Sequence, residues 1–207
     1  MKPPPGGFLF RYNTLIPMEK IEYTQASDYL IKTYTKEEKS LPFGEKTNGF
    51  FLSHEKGKAF VLESADEVPF VFVDPVQGLF GGMVLSKEDT LKEVLLQKFK
   101  NILVQYNLNA KDILCYLGPA LTFSHVNVDR PTLLRIMELG YRAAAKRTSG
   151  VDFFDVPIMN FLMLRKLGIP PENITIDAHD TYECDSLLYS ELRGDKEKNP
   201  TVVERLR

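Results

Sequence analysis

Adjacent carboxylates at the junction of two apolar runs are the first residues of this sequence with the chemistry of an active site. Asp66 and Glu67 lie in Gly57–Pro75, which indicates two buried strands joined at Ser64–Val68. If the Glu67 side chain points inward beside Val68, desolvation raises its pKa and makes it a candidate acid or base. An outward orientation, with Glu67 in solvent, is equally compatible with the sequence.

Three histidines are further candidates for acid–base or metal chemistry. Zinc in proteins takes three or four N, S or O ligands, and no histidine here has the spacing of an HExxH or CxxC motif. His179 and Cys184 lie five residues apart in a polar loop, which is a weak metal signal. His125 follows the strand that ends at Gly118–Pro119, so it is the histidine best placed to face a pocket. His54 has the surroundings of an exposed turn.

The sequence contains no good match to a nucleophilic catalytic motif or to a phosphate-binding motif. Cys115 lies inside the apolar run Ile113–Leu117, so it is predicted to pack as a small hydrophobic side chain rather than to pair with His125 as a nucleophile. Gly81–Gly82 lacks the Lys-Ser/Thr pair of a phosphate loop and is interpreted as close backbone packing. Lys146–Arg147 is interpreted as the basic end of a helix in preference to a phosphate site.

Composition and charge exclude several classes of function. The chain has 207 residues, of which 43% are hydrophobic, and this is enough for one folded domain with a substantial core. A formal net charge of −2 gives no general attraction to nucleic acid or acidic membranes. No apolar run reaches the roughly 18 residues that span a bilayer, and the N-terminus lacks the features of a signal peptide. A cytoplasmic location is therefore expected, with no nucleic-acid or membrane partner.

The secondary-structure elements that must position these residues are, in the first half of the chain, mainly strands. β-branched and aromatic runs predict strands over Ile21–Tyr23, Tyr29–Tyr34, Gly49–Leu52, Ala59–Leu62, Phe70–Val73, Leu79–Val84, Ile113–Leu117 and Asn173–Asp177. Phe70–Val73 is apolar at every position, so we expect it to be covered on both faces in the middle of a layered protein.

Helices are predicted mostly in the second half of the chain. Apolar spacing predicts them over about Ser86–Tyr106, Pro131–Arg147 and Val156–Leu167. Ser86 is a good N-cap for the first, and Asp89 completes a capping box. The residues after Asp177 are predicted to be a polar tail. This order of elements favours an α+β sandwich over a doubly wound parallel sheet.

Several segments follow the order and spacing of a known family. Gly57–Pro75 is similar, at matching length, to the signature G-x-A-x-x-x-x-T-A-D-C-x-P-x-x-x-x-D-P. Gly78–Thr90 follows the register G-x-x-x-x-x-H-A-G-W-R-G-T, and Leu117–Leu121 resembles I-G-P-A-I. Thr24–Ser27 stands at the position of T-Q-V-H, and Leu164–Asp177 resembles a helix, loop and strand near the C-terminus. In this order the segments resemble the laccase-domain proteins, also called multicopper polyphenol oxidoreductase-like.

The resemblance implies both a fold and an activity. The fold of the family is a layered α/β/β/α sandwich related to bacterial cysteine deamidase toxins, which agrees with the order of elements above. Residues 1–207 would form a single laccase-like domain. Members of the family are regarded as zinc-dependent purine nucleoside phosphorylases, some of which also deaminate adenosine. The implied partner is therefore a purine nucleoside or another small molecule.

The departures from the family pattern fall on its metal site. The family holds zinc with the histidine of T-Q-V-H, the cysteine of A-D-C and the histidine of H-A-G-W, and these positions are Ser27, Glu67 and Val84 here. Val84 cannot bind a metal and Ser27 would be a poor ligand, so Glu67 alone keeps a good donor. The W-R-G segment has become Ser86–Asp89, and Asp180 replaces a further cysteine. No zinc or other cofactor is expected.

The leading hypothesis is a laccase-domain fold that has lost its zinc centre, with altered or absent catalysis and a residual pocket for a nucleoside-like or other small ligand. The predicted pocket residues are Gln25, Ser27, Glu67, Val84, Gly118 and His125, of which Glu67 is the best catalytic candidate. One alternative is an active phosphorylase or adenosine deaminase of this family, with a metal site rebuilt from His125, His179 and Cys184. Another is a non-catalytic binding or scaffold protein.

Overall fold

Strands and four α-helices are the main elements of a computed structural model that describes residues 21–23, 28–38, 44–47 and 49–206. The strands are β1 (Ile21–Tyr23), β2 (Tyr29–Thr33), β3 (Glu45–Thr47), β4 (Phe51–Ser53), β5 (Ala59–Ser64), β6 (Val68–Asp74), β7 (Leu79–Leu85), β8 (Leu114–Leu117), β9 (Ala145–Thr148), β10 (Val151–Phe154), β11 (Ile174–Ile176) and β12 (Asn199–Arg205). The helices are α1 (Lys87–Leu91), α2 (Val94–Gln105), α3 (Arg130–Glu138) and α4 (Val156–Lys166). None of these described helices has the length and apolar composition required to cross a lipid bilayer.

Two five-stranded sheets form the centre of the fold. The first has the strand order β1-β2-β12-β5-β3 and the second the order β11-β8-β6-β7-β4. Their facing sides form an apolar interface in which Phe60, Leu62 and Val203 of the first sheet join Val71 and Phe80 of the second. β9 and β10 form a separate two-stranded hairpin.

The helices pack on the other side of the second sheet. Phe70 and Phe72 of β6 contact Phe99 of α2, and all three belong to one cluster with Met159 of α4. Every residue of β6 is buried, because helices cover one face and the first sheet covers the other. This confirms the prediction that an apolar strand lies in the middle of a layered α+β protein. Within the described residues the layers are helices, second sheet and first sheet.

The strands predicted from the sequence are confirmed, with small shifts at their ends. The close packing predicted for Gly81–Gly82 is confirmed as well. Both glycines lie in β7, where a Cβ on Gly81 would stand 2.6 Å from the Phe51 carbonyl oxygen and one on Gly82 would stand 2.5 Å from the Phe70 carbonyl oxygen. Only glycine allows β7 to approach its neighbours this closely.

The single helix predicted over 86–106 is wrong in its middle, where the chain breaks between α1 and α2. Its start is confirmed, since the Ser86 side chain caps α1 and the Asp89 carboxylate accepts from the Ser86 N–H. Glu93 then takes a left-handed conformation with a φ of 54°, and the Tyr141 hydroxyl donates to its carboxylate. The break at Glu93 is therefore accompanied by a contact with Tyr141, which is distant in sequence, and the spacing of apolar residues does not reveal it.

The second predicted helix is too long. α3 ends at Glu138, and Gly140 follows with a left-handed φ of 86° that stops the helix. Residues 145–148 then form β9, which pairs antiparallel with β10 across a turn that contains Gly150. Lys146–Arg147 lies on an exposed strand, so its interpretation as a basic helix end is wrong.

The polar tail predicted after Asp177 is also wrong, because β12 lies at the centre of the first sheet. It pairs antiparallel with both β2 and β5. Two of its polar side chains are buried and bonded: the hydroxyls of Thr201 and Thr33 are 2.9 Å apart, and the Asn199 side-chain oxygen accepts from the Tyr189 N–H at 2.7 Å. A central strand whose polar residues have internal partners resembles an exposed tail in composition.

Candidate functional site

The junction between β5 and β6 forms a corner in which two adjacent carboxylates have different surroundings. Glu67 is partly buried, and its Oε2 accepts a hydrogen bond from the Ala65 N–H at 3.0 Å. Asp66 binds the C-terminal segment: Oδ1 accepts from the Thr181 hydroxyl at 2.7 Å and Oδ2 from the Leu192 N–H at 2.8 Å. Asp66 therefore binds this corner to the C-terminal segment. Among the described residues, Glu67 has fewer hydrogen-bond partners than Asp66.

Two adjoining depressions meet at Glu67 and Ser86, which line both. The first, which we call the acidic depression, has a volume of about 400 Å³ and is lined by Glu63, Glu67, Val84, Ser86, Asp89 and Lys198. Lys46 forms an ion pair with Glu63 at 2.6 Å. The structure thus brings two predicted pocket residues, Glu67 and Val84, to one concave and mainly acidic surface.

The second, which we call the histidine depression, has a volume of about 330 Å³. Its apolar lining comes from Leu121, Val126 and Val156, and its polar lining includes Glu67, Lys87, Glu88, His125 and Asn127. The Lys87 ammonium donates to the Asn127 carbonyl at 2.8 Å, so this lysine is already engaged. Glu67 and His125, two predicted pocket residues, therefore share a second concave surface.

His125 is held in place by two neighbours. Its Nδ1 lies 3.3 Å from Oδ2 of Asp180, and its ring packs against the Tyr182 ring with centroids 4.4 Å apart. The backbone N–H and the hydroxyl of Thr122 both donate to the same Oδ2, at 2.9 and 2.7 Å. Burial alone would raise the pKa of the Asp180 carboxyl, but hydrogen bonds from Thr122 and His125 hold that pKa below its ordinary value. Asp180 is therefore ionised at neutral pH and orients the imidazole.

A second His–Asp pair lies in the same segment. His179 Nδ1 is 2.6 Å from Oδ1 of Asp177, whose side chain is 2% exposed. The Tyr116 hydroxyl donates to Asp177 Oδ2 at 3.2 Å and lies 3.2 Å from the Thr33 hydroxyl between the sheets. The hydrogen bond to Asp177 raises the pKa of His179, against the opposite effect of burial. This pair continues into the protein interior, and neither member lines the two depressions.

The other predicted site residues are not assembled at the corner. Gly118 is buried, donates its N–H to the Pro69 carbonyl at 2.9 Å and lines neither depression. A Cβ on Gly118 would stand 2.5 Å from Pro69 Cγ, so glycine is needed there for packing. Gln25 and Ser27 lie outside the residues that the structure describes. Cys115 is buried in the core, where burial raises the pKa of its thiol, and its predicted packing role is confirmed.

The described residues of the corner do not fit a zinc ion. At the two described positions where the resemblance places zinc ligands, Glu67 carries a carboxylate but Val84 has no donor atom. In the part of the chain that the structure describes, no three His, Cys, Asp or Glu side chains are grouped so that they could hold a metal ion. His125, His179 and Cys184, considered as a rebuilt site, are likewise not grouped as metal ligands in the described structure.

Sequence reasoning misses Asp180 as the partner of His125, because 55 residues separate them. The sheet topology contains the signal that would have found it. β11 pairs parallel with β8, with Ile176 opposite Leu117, so the segments that follow the two strands leave the sheet at the same edge. His125 follows β8 and Asp180 follows β11. A parallel pairing of these two strands, had it been predicted, would have brought the two residues together.

Comparisons with known proteins agree with this architecture. The model of the family described as multi-copper polyphenol oxidoreductase laccase matches residues 22–201. The mouse protein named purine nucleoside phosphorylase LACC1 is 23% identical over 135 residues, and the human protein of the same name is 24% identical over 134 residues. Each match covers 65% of this chain but only 31% of the relative, so the chain spans about a third of the length of these curated relatives.

Two solved structures share the fold. YfiH from Bacillus licheniformis has a TM-score of 0.68 at 22% identity, with 77% of this chain and 61% of that chain covered. YlmD from Geobacillus stearothermophilus has a TM-score of 0.68 at 22% identity, with 78% of this chain and 62% of that chain covered. The family model extends from Glu22 in β1 to Thr201 in β12 and so includes both sheets and all four described helices. The chain therefore belongs to the multi-copper polyphenol oxidoreductase laccase family.

Proposed function

We propose that this laccase-domain protein binds a small molecule of the purine nucleoside class at the Glu67 corner, without zinc and without phosphorolysis. The residue types at the family's three zinc positions support the absence of zinc. Val84 has no donor atom and Ser27 offers only a hydroxyl, so Glu67 is the single strong ligand. One strong ligand falls short of the three or four that a protein zinc centre uses.

The observation that carries the proposal is the charge of the corner, because a phosphorylase must bind phosphate. The carboxylates that line the two depressions outnumber the lysines: Glu63, Asp66, Glu67, Glu88, Asp89 and Glu191 stand against Lys87 and Lys198. Two like unit charges about 4 Å apart repel by roughly 4 kcal/mol at the effective dielectric constant of a protein surface. The family's W-R-G segment, which carries a positive charge, has become Ser86–Asp89 here, in which Glu88 and Asp89 outnumber Lys87. These charges disfavour inorganic phosphate as a co-substrate.

A neutral nucleoside suits the same surface better than an anion does. Leu121, Val126 and Val156 offer apolar contact to a base, while Glu67 and Asn127 offer acceptors and a donor to ribose hydroxyls. The purine class is proposed from the printed names of the mouse and human relatives. Glu67 is the residue that we assign to ligand contact, because the Ala65 N–H engages its Oε2 and, among the residues that the structure describes, no hydrogen bond to Oε1 is present.

The test combines binding with turnover. Adenosine and inosine are titrated calorimetrically into the purified chain with and without inorganic phosphate, and the mixtures are then analysed for free base and ribose phosphate. We expect saturable binding that phosphate does not strengthen, and no free base. Phosphate-dependent release of base, or failure of both nucleosides to bind, would overturn the proposal.

A matched pair of variants locates the binding. Glu67→Ala should weaken nucleoside binding by about tenfold, the typical effect of losing one hydrogen bond to a charged group. Glu55→Ala is the control, because Glu55 is an exposed glutamate in the turn after β4. Equal affinities in the two variants would place the ligand elsewhere on the protein.

A second candidate function is an active purine nucleoside phosphorylase or adenosine deaminase. The names of the mouse and human relatives, at 23% and 24% identity, favour it. It requires the corner to accept phosphate beside Glu67 and Asp89, or to activate water for deamination. In the turnover assay, free base with ribose phosphate would identify the first activity and conversion of adenosine to inosine the second.

A further inference from the structure

The histidine depression is lined by an imidazole that is able to recognise the ring of a bound molecule. We propose that Nε2 of this residue, His125, accepts a hydrogen bond from an amino-substituted heteroaromatic ring. Asp180 and Tyr182 act as positioning residues. The inference rests on the proposed function, because it assigns a ligand chemistry to the same site.

The imidazole of His125 has a neighbour at one edge, Asp180, and a neighbour at one face, Tyr182. Nδ1 lies 3.3 Å from Asp180 Oδ2, and the Tyr182 ring packs against the imidazole at a centroid distance of 4.4 Å and an interplanar angle of 37°. Asp180 is anchored in turn, because Oδ1 accepts from the backbone N–H groups of Tyr182 and Glu183 at 2.9 and 3.2 Å while Oδ2 binds Thr122. The His125 side chain is 18% exposed, so only part of the ring reaches the depression.

Hydrogen bonding decides which ring nitrogen can meet a ligand. A neutral imidazole has one N–H donor and one acceptor nitrogen. An ionised Asp180 only accepts, so it selects the form of His125 with the proton on Nδ1 and leaves Nε2 as the acceptor. A ligand amine that donates to Nε2 satisfies it, whereas a ring without a donor at that position leaves it unpaired.

The surroundings of His125 suit a flat ring. Leu121, Val126 and Val156 line the same depression, with Asn127 among the polar residues. A heteroaromatic ring buries its faces against apolar groups and directs its polar edge toward a few fixed partners. The geometry therefore points to recognition of a ring edge by His125 rather than recognition of charge.

Adenosine and purine riboside provide the probes, because purine riboside has the same ring and sugar without the amino group. Losing one hydrogen bond, and leaving its acceptor unpaired, costs roughly a factor of ten in affinity. We therefore expect the wild-type protein to bind adenosine about tenfold more tightly than purine riboside. The comparison is made at pH 8, with calorimetric titration of the full chain.

His125→Phe removes both ring nitrogens and keeps a flat ring against Tyr182. We expect this variant to bind the two probes equally. The control is His54→Phe: His54 follows β4, whose Ser53 pairs with Phe80 near the opposite end of β7 from the Glu67 corner. The control should keep the preference for adenosine.

The role of Asp180 has its own readout in the nitrogen NMR signals of the three histidines. Neutral His125 in the wild type should carry its proton on Nδ1, and Asp180→Asn should shift the proton toward Nε2 and reduce the preference for adenosine. If Asp180→Asn does not fold, the wild-type spectrum decides alone. A neutral wild-type His125 with its proton on Nε2 overturns the inference.

The outcomes separate this inference from the proposed function. If the preference for adenosine disappears only in His125→Phe, the role of His125 is supported. If the wild type binds both probes equally, or His125→Phe keeps the preference, the role of His125 is wrong while nucleoside binding stands. If the wild type binds neither probe, the inference and the proposed function fail together.

Discussion

Two His–Asp pairs, built in part from one short segment, have opposite surroundings in this protein. Asp177 pairs with His179 and Asp180 pairs with His125, with Nδ1 to carboxylate distances of 2.6 and 3.3 Å. The pair of Asp177, which we call the inward pair, continues through the Tyr116 hydroxyl into the interface between the sheets. The pair of Asp180, the outward pair, leaves its histidine in the lining of a depression.

The difference teaches that the surroundings of a His–Asp pair decide its role more than the residue types do. A buried carboxylate that accepts from several internal donors is costly to remove, because those donors lose their partner in a place that water does not reach. The inward pair should therefore contribute mainly to stability. The outward pair faces open space on one side, so it should contribute mainly to ligand binding.

The largest expected effect comes from removing the carboxylate of the inward pair. Asp177→Ala deletes the acceptor that Tyr116 and His179 use, and we expect the free energy of unfolding to fall by about 3 kcal/mol. Urea unfolding followed by far-UV circular dichroism measures this change. Asp185→Ala, at an exposed aspartate of the same region, is the matched control. Equal losses in the two variants would break the comparison.

A third buried carboxylate, Asp155, sharpens the comparison because its partners are backbone groups. Burial raises its pKa to about 6, although hydrogen bonds from the backbone of Ile158 and Phe123 act in the opposite direction. Protonation therefore favours the folded state, and the contribution of Asp155 to stability falls as pH rises from about 4 through about 6.

Asp155→Asn keeps the cap of α4 and removes the charge. We expect the variant to be more stable than the wild type at pH 7 by about 1 to 2 kcal/mol, and to lose the fall in stability between about pH 4 and pH 6. Urea unfolding across this pH range measures both. Parallel pH profiles for the two proteins would show that the pKa of Asp155 is the same in the folded and unfolded states, which would contradict this prediction.

The stability contribution of the inward pair also depends on pH, but more weakly than that of Asp155. Its cause is a hydrogen bond, whereas the cause for Asp155 is burial. The hydrogen bond to Asp177 raises the pKa of His179, so the pair adds stability that is complete below the unfolded-state pKa of about 6.5. This stability is lost as pH rises through the higher folded-state pKa. The difference in unfolding free energy between the wild type and His179→Gln should therefore shrink from acidic to alkaline pH. A difference that grows with pH would reverse the assignment.

The smallest expected effect on stability belongs to the outward pair. His125→Phe keeps a ring against Tyr182, and Asp180 keeps its hydrogen bonds from Thr122, so we expect the free energy of unfolding to change by no more than about 0.5 kcal/mol. The same urea curves measure it. A loss comparable to that of Asp177→Ala would make both pairs structural.

The framework could be predicted because its residues obey local rules. β6 and β7 follow from apolar runs, the start of α1 follows from Ser86 and Asp89, and α4 follows from the capping residue Asp155 and from Gly168 at its end. Each of these signals is complete within a short stretch of chain. The layered arrangement then follows from the need to bury both faces of β6.

The missed features depend on contacts between residues far apart in the sequence. β12 has a polar composition because Thr201 and Asn199 find partners inside the fold, and those partners are Thr33 and Tyr189. The break at Glu93 is joined to Tyr141. Local propensity contains no information about such partners, so the polar tail and the unbroken helix were the natural predictions.

In the candidate site too, one pair of residues follows from local sequence relations and another pair depends on a contact between distant segments. Glu67 and Val84 meet because Pro69 pairs with Val84 across β6 and β7, a local relation that the motif register already contained. His125 and Asp180 meet only through the parallel pairing of β8 and β11, which the sequence does not display.

The zinc content of the chain tests most directly whether the Glu67 corner works without the metal. Purified protein is incubated with excess zinc, freed of unbound metal by gel filtration, and analysed by mass spectrometry for zinc per chain, in the wild type and in Glu67→Ala. We predict substoichiometric zinc at the same low level in both proteins. One zinc per wild-type chain that disappears in Glu67→Ala would contradict the central claim.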